Sequence, residues 1–186
     1  MVLALFALAG YSQHADSIKV HLNHYTLTLG TGWTHYINNL EYGNQHIRQD
    51  FAGVSLKFFW EPEYRLSLGL ESGYYHLFQV KDQLTPDLDV RVDRTIVPLL
   101  LLVRMRIIDN VYIAGGMGLA SLTNRASGGT QTITTHVWSY SNYELSASYI
   151  YPLGKHWRLG GEAKMFEFGS LDDWMYSLQI FCGLRF

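Results

Sequence analysis

The sequence predicts an all-β chain, an eight-stranded antiparallel up-and-down transmembrane β-barrel. Three observations carry the prediction. Segments of about ten residues alternate apolar and polar side chains with a period of two. Short and long connections alternate between those segments. Charged residues are only 16 % of the 186 and aromatics reach 15 %, whereas a soluble domain carries about 25 % charge, so much of the surface faces something other than water. No run reaches the ~18 apolar residues of a transmembrane helix.

The first strand is read over 25–36, with Leu27, Leu29 and Trp33 opposed to Thr26, Thr28, Gly30, Gly32 and Thr34. The second, 51–60, sets Ala52, Val54, Leu56, Phe58 and Trp60 against Gly53, Ser55 and Lys57. The third, 64–78, sets Leu66, Leu68, Leu70 and Tyr74 against Ser67, Gly69, Glu71 and Gly73. In the fourth, 94–107, Val97, Leu99, Leu101, Val103 and Met105 oppose Arg104 and Arg106. The fifth, 111–122, opposes Val111, Ile113, Met117 and Leu119 to Ala114, Gly116, Gly118 and Ala120. The sixth, 139–151, opposes Leu145, Ala147, Tyr149 and Tyr151 to Glu144, Ser146 and Ser148. The seventh, 157–168, opposes Leu159, Ala163 and Met165 to Gly160, Glu162 and Lys164. The eighth runs to the end of the sequence, with Tyr176, Leu178, Ile180, Cys182, Leu184 and Phe186 on one face and Ser177, Gln179, Gly183 and Arg185 on the other.

Tight turns are expected at Glu61-Pro62-Glu63, Ile108-Asp109-Asn110 and Pro152-Leu153-Gly154-Lys155-His156, where Pro, Gly, Asp and Asn serve turn geometry. The connections 37–50, 79–93 and 123–138 read as long polar loops, and 169–173 as a shorter one. Aromatics fall at both ends of the strands. Trp60, Tyr64, Tyr112, Tyr151, Trp157 and Phe186 lie by the short turns, and Trp33, Tyr36, Tyr74, Tyr75, Trp138, Tyr140 and Trp174 by the long loops. Two interfacial girdles are the expectation.

Residues 1–15 read as a secretory leader, with cleavage after Ser12 or after Ala15. Its basic n-region is missing, which fits a start that is internal or truncated. Residues 16–186 then form the barrel domain. An even strand count puts both termini on one side.

The run Ile96-Val97-Pro98-Leu99-Leu100-Leu101-Leu102, followed by Asn110-Val111-Tyr112-Ile113-Ala114-Gly115-Gly116-Met117-Gly118, resembles the outer-membrane β-barrel domain family, in the OmpA/OmpX-like size class. The alternating final strand closed by Phe186 is similar to the last strand of those barrels. That resemblance implies a Gram-negative outer-membrane location with periplasmic termini. It also implies an assembly signal, made here by Tyr176, Leu178, Ile180, Leu184 and Phe186. The partners it implies are outer-membrane lipid, lipopolysaccharide and the barrel-assembly machinery. It says little about activity, because one fold hosts unrelated tasks.

Strand parity sends Lys57, Glu71, Arg104, Arg106, Glu144, Glu162, Lys164 and Arg185 inward as an interior charge network. A barrel of eight strands is just wide enough to be filled by side chains, so these charges must pair. A soluble lipocalin-like barrel would want an apolar interior instead; parity predicts a charged and small-polar one. The single Cys182 reads as a small outward hydrophobe.

Catalytic signals are weak. Lipid A-modifying enzymes of this barrel size use Ser and His, yet Met165-Phe166-Glu167-Phe168 stands where a His-x-Ser motif would be. His136 with Ser139 and Ser141, and His76, are the remaining local groups. His21 and His24 are three apart and face opposite ways in an extended strand. No Walker, Rossmann or zinc-cysteine pattern occurs. No catalytic residue, metal or cofactor is expected, and a net charge of −2 points to no nucleic acid. The expected function is a non-enzymatic envelope protein, structural or binding a surface or envelope protein through its long loops. A small gated ion or solute pore is the alternative, and a lipid A-modifying enzyme the third reading.

Overall fold

A computed structural model describes residues 23–37, 47–62, 65–85, 88–128, 131–169 and 173–186. The expected leader, most of the 37–50 connection and Tyr64 lie outside the described residues. The elements are β1 (His24–Ile37), β2 (Ile47–Arg48), β3 (Asp50–Glu61), β4 (Leu66–Thr85), β5 (Leu88–Ile108), β6 (Val111–Gly128), β7 (Gln131–Leu153), β8 (Trp157–Phe168) and β9 (Asp173–Arg185). The two-residue β2 lies on β4. The other eight strands form an antiparallel ring, each pairing with its neighbours in sequence and β9 closing on β1.

Closure is complete at the carboxyl end. Tyr25 N donates to Phe186 O at 2.8 Å, and Phe186 N to Tyr25 O at 2.9 Å. Within the band where all eight strands pair, the ring leaves no strand edge open, which is the condition for β-structure in hydrocarbon. Two short turns use left-handed backbone at Asn110 (φ 67°) and Gly154 (φ 80°), residue types that tolerate it.

The pleat sorts the side chains radially. On the outside stand Leu29 (59 % exposed), Leu101 (57 %), Leu178 (57 %) and Ile180 (69 %). Inside stand Lys57, Glu71, Arg104, Glu144, Glu162 and Lys164, each 9 % exposed or less. A water-soluble barrel would invert that distribution. An exterior this apolar needs lipid around it.

The structure departs from the sequence reading in three respects. First, the expected loops 79–93 and 123–138 are mostly ladder. β4 and β5 stay paired as far as Thr85↔Leu88, and β6 and β7 as far as Gly128↔Gln131. Val80, Val90, Val92, Ile133 and a run of threonines supply the strand propensity there. Second, Tyr36 and Tyr75 are not girdle residues; they are 1 % and 0 % exposed, inside the barrel. Tyr112 also turns inward, where its ring faces the Arg104 guanidinium at 5.0 Å. Third, the interior is not only charged and small-polar. Toward the long-hairpin end it holds a packed apolar cluster of Tyr36, Tyr75, Leu77, Phe78, Ile96, Leu100, Leu102, Phe166, Phe168 and Met175.

Bulges explain part of this. A register shift between His76 and Phe78 lets both Leu77 and Phe78 point inward. A second shift opposite Gly118 and Ala120 brings Ser139 and Asn142 inward together, with Ser141 at φ 62° between them. Ser139 Oγ donates to Asn142 Oδ1 at 2.8 Å.

Candidate functional site

The lumen is layered along its axis. The middle layer is a five-residue charge cluster drawn from four strands. Lys57 (β3) faces its ladder partner Glu71 (β4) at 2.8 Å and Glu162 (β8) at 2.6 Å. Lys164 (β8) reaches across to Glu71 at 2.5 Å and lies 3.5 Å from Glu162. It also donates to Tyr75 Oη at 3.0 Å, and that hydroxyl donates to Glu71 at 3.2 Å. Glu144 (β7) is the outlier. Its nearest cation is Lys57 at 3.5 Å, and neither of its oxygens accepts a hydrogen bond among the described residues.

The layer at the short-turn end is arginine-rich. Glu61 accepts from Arg104 at 2.5 Å and from Arg158 at 2.8 Å, and Arg185 lies 3.6 Å from its second oxygen. Arg104 also stacks over Phe59 at 3.8 Å. Below them Arg65 and Arg106 line an open cavity of about 150 Å³. Arg106 is exposed there and has no ionic partner among the described residues, so it stands apart from the enclosed network in which parity sets it. The sequence reading misses Glu61 and Arg158. It gives Glu61 to a Pro-containing turn, although that residue continues the inward parity of Lys57 and Phe59.

The third layer is the apolar plug. Tyr36 Oη donates to the Asp173 carboxylate at its top, and Phe78 stacks on Tyr36 at 5.9 Å. Ile47, Val80 and Val92 pack onto the plug from β2 and the β4–β5 hairpin. Between the plug and the arginines lies a void of about 20 Å³, room for roughly one water. Above the arginine-lined mouth, the plug and the charge cluster pack the described lumen with buried side chains.

Beyond the plug two hairpins continue. β6 stays paired with β5 as far as Val90↔Gly128, so β4 to β7 form one sheet there. On β7, residues 131–138 are exposed on both faces and, among the described residues, pair only with β6, so they form its free edge. At its base a cleft of about 350 Å³ is lined by Tyr74, His76, Arg91, Asp93, Arg125 and several threonines. Arg91 Nε holds Asp93 at 2.7 Å, and Gln79 donates to the same carboxylate at 2.6 Å.

No catalytic constellation forms among the described residues. His136 Nδ1 meets Thr123 Oγ1 at 3.0 Å, and Ser139 is buried against Asn142. His76 lies 3.5 Å from Asp93 with no serine in the same cleft. No group of three metal-ligating side chains occurs among the described residues. The residues Tyr176, Leu178, Ile180, Leu184 and Phe186 of the last strand all point outward.

No protein-family model and no curated protein sequence matches the chain. Solved structures do. The attachment invasion locus protein Ail of Yersinia pestis, in complex with the heparin analogue sucrose octasulfate, superposes with a TM-score of 0.56 at 12 % identity, covering 88 % of this chain and 99 % of that one. A major outer membrane protein of Thermus thermophilus gives 0.55 at 13 % identity, covering 89 % and 100 %. Neisserial surface protein A gives 0.52 at 11 % identity, covering 88 % and 97 %. With its closed ring of eight strands, apolar exterior and charged interior, the chain has the fold of the small bacterial outer-membrane β-barrels.

Proposed function

We propose that the protein is a non-enzymatic barrel of a bacterial outer membrane whose binding surface is the pair of hairpins beyond the apolar band. The filled lumen carries this reading: a plug of aromatic and aliphatic side chains seals one end, and paired charges occupy the middle. A rigid, closed scaffold displaying projecting segments is a common arrangement for recognition. The cleft at the base of the hairpins offers Arg91, Arg125 and His76 beside hydroxyl groups, which is chemistry for sulfated or phosphorylated sugars. The complex of Ail with a heparin analogue supports that class of ligand, and lipopolysaccharide phosphates present the same groups.

The test is sucrose octasulfate binding to the refolded barrel in detergent. The wild type should bind saturably, and Arg91→Gln with Arg125→Gln should weaken binding about tenfold. Equal affinity in the double variant would remove the hairpin cleft as the site. In the alternative reading, a gated pore, the Lys57 and Lys164 pairs would exchange partners to admit ions. That reading requires the plug to move as well, and steady current across planar bilayers would favour it. An altered lipid A acyl pattern in cells carrying the protein would favour the enzyme reading.

A further inference from the structure

The short-turn mouth of the barrel is electrostatically lopsided. Five arginines line its cavity (Arg65, Arg104, Arg106, Arg158 and Arg185), and Glu61 is the sole carboxylate among the described lining residues. The middle layer is different, with two lysines set among three glutamates. A structural network would be expected to balance itself in the same way, because like charges a few ångströms apart repel. At the mouth Glu61 is hydrogen-bonded to Arg104 and Arg158 and lies 3.6 Å from Arg185, while Arg65 and Arg106 have no acidic partner among the described residues.

Two further observations point to a ligand. Arg104 is 4 % exposed, and its Nε has no hydrogen-bond acceptor among the described residues; Arg185 Nε, 3.6 Å from Glu61, has none within hydrogen-bond distance either. The cavity they border, about 150 Å³, has the volume of several waters at roughly 30 Å³ each, enough for a tetrahedral oxyanion. Guanidinium groups are planar double donors that match such an anion, and Tyr112 and Ser67 add hydroxyl groups at the wall.

We propose that this mouth is a phosphate-binding site, in which Arg65, Arg106 and Arg185 close on the oxyanion while Glu61 holds Arg104 and Arg158 in place. The phosphate has two sources: the head group of a lipid in the adjoining leaflet, reached over the rim at Arg65 and Arg106, or a soluble phosphate. The reading is independent of what the hairpins bind at the far end.

The experiment uses the refolded full chain in an uncharged sugar detergent at fixed ionic strength, titrated with inorganic phosphate and followed by phosphorus NMR. Saturable binding is expected, and Arg65→Gln with Arg106→Gln should raise the dissociation constant tenfold or more. Both residues lie outside the Glu61 pairs, so the variant should keep its heat-modifiable gel mobility. In phosphatidylglycerol nanodiscs, lost phosphate binding assigns the site to the lipid head group, and retained binding assigns it to a soluble anion. Absence of saturable binding at tens of millimolar phosphate in detergent, or equal affinity in the folded double variant, would overturn the proposal.

Discussion

Lys164 Nζ lies 2.5 Å from Glu71 Oε1 across the barrel, joining β8 to β4, which stand four strands apart round the ring in either direction. Both side chains are fully buried. The bond ties opposite walls together where no backbone ladder does. Its value depends on both partners, because a buried charge stripped of its counter-ion keeps its desolvation cost.

Lys164→Met should therefore destabilise the barrel by about 3–5 kcal/mol. Glu144→Gln should leave stability unchanged or raise it, since the Glu144 carboxylate accepts no hydrogen bond among the described residues and makes three acids to two lysines. Urea unfolding in lipid vesicles measures both. Equal losses in the two variants would show that the cluster is not organised round Glu71.

The outward face gives a depth-dependent expectation. Leu101→Arg, on the apolar band, should cost ~2–4 kcal/mol, whereas Ile133→Arg on the projecting edge of β7 should cost ~0–1 kcal/mol. Both native side chains are more than half exposed, at 57 % and 66 %, so exposure alone cannot account for a difference. The same unfolding measurement separates them.

Glycine positions test the packing of the ladder. A Cβ at Gly118 would run into the Leu99 carbonyl and come within 2.9 Å of Leu100 Cα, both backbone atoms, whereas at Gly161 its nearest neighbour would be 3.8 Å away. Gly118→Ala should cost ~1–3 kcal/mol through overpacking, and Gly161→Ala should be close to neutral. Similar midpoints for the two would contradict the register of β5 on β6.

Truncation of the plug tests whether it is a packed core. Phe166 is 1 % exposed and packs against Tyr75 at 5.4 Å and Phe168 at 6.2 Å. Phe166→Ala should cost ~3–5 kcal/mol. A loss below about 1 kcal/mol would mean that the upper lumen is loosely filled.

Strict alternation makes Lys57, Glu71, Glu144, Glu162 and Lys164 legible from sequence. Each sits on a strand whose outward partners are plainly apolar, so parity alone places it. Leu100 and Leu102 are hidden because they lie in a run of four leucines, where period two leaves no trace. Tyr36 and Tyr75 are misplaced because an aromatic at a strand end suits a lipid interface and a lumen plug equally well. The bulge beside Leu77 has no turn residue to announce it. Hairpin extension escapes the sequence because polar strands exposed on both faces, such as residues 131–138, resemble loops in composition.

The direction of the side chains is the claim on which the rest depends, and Cys182 reports it directly. It is the sole cysteine in the chain, free and outward on β9. A bimane attached there, with the barrel refolded in phosphatidylcholine vesicles, should be quenched by doxyl-labelled acyl chains and little affected by aqueous iodide. Quenching by iodide with no effect of the doxyl lipids would place Cys182 in water and contradict a lipid-facing exterior.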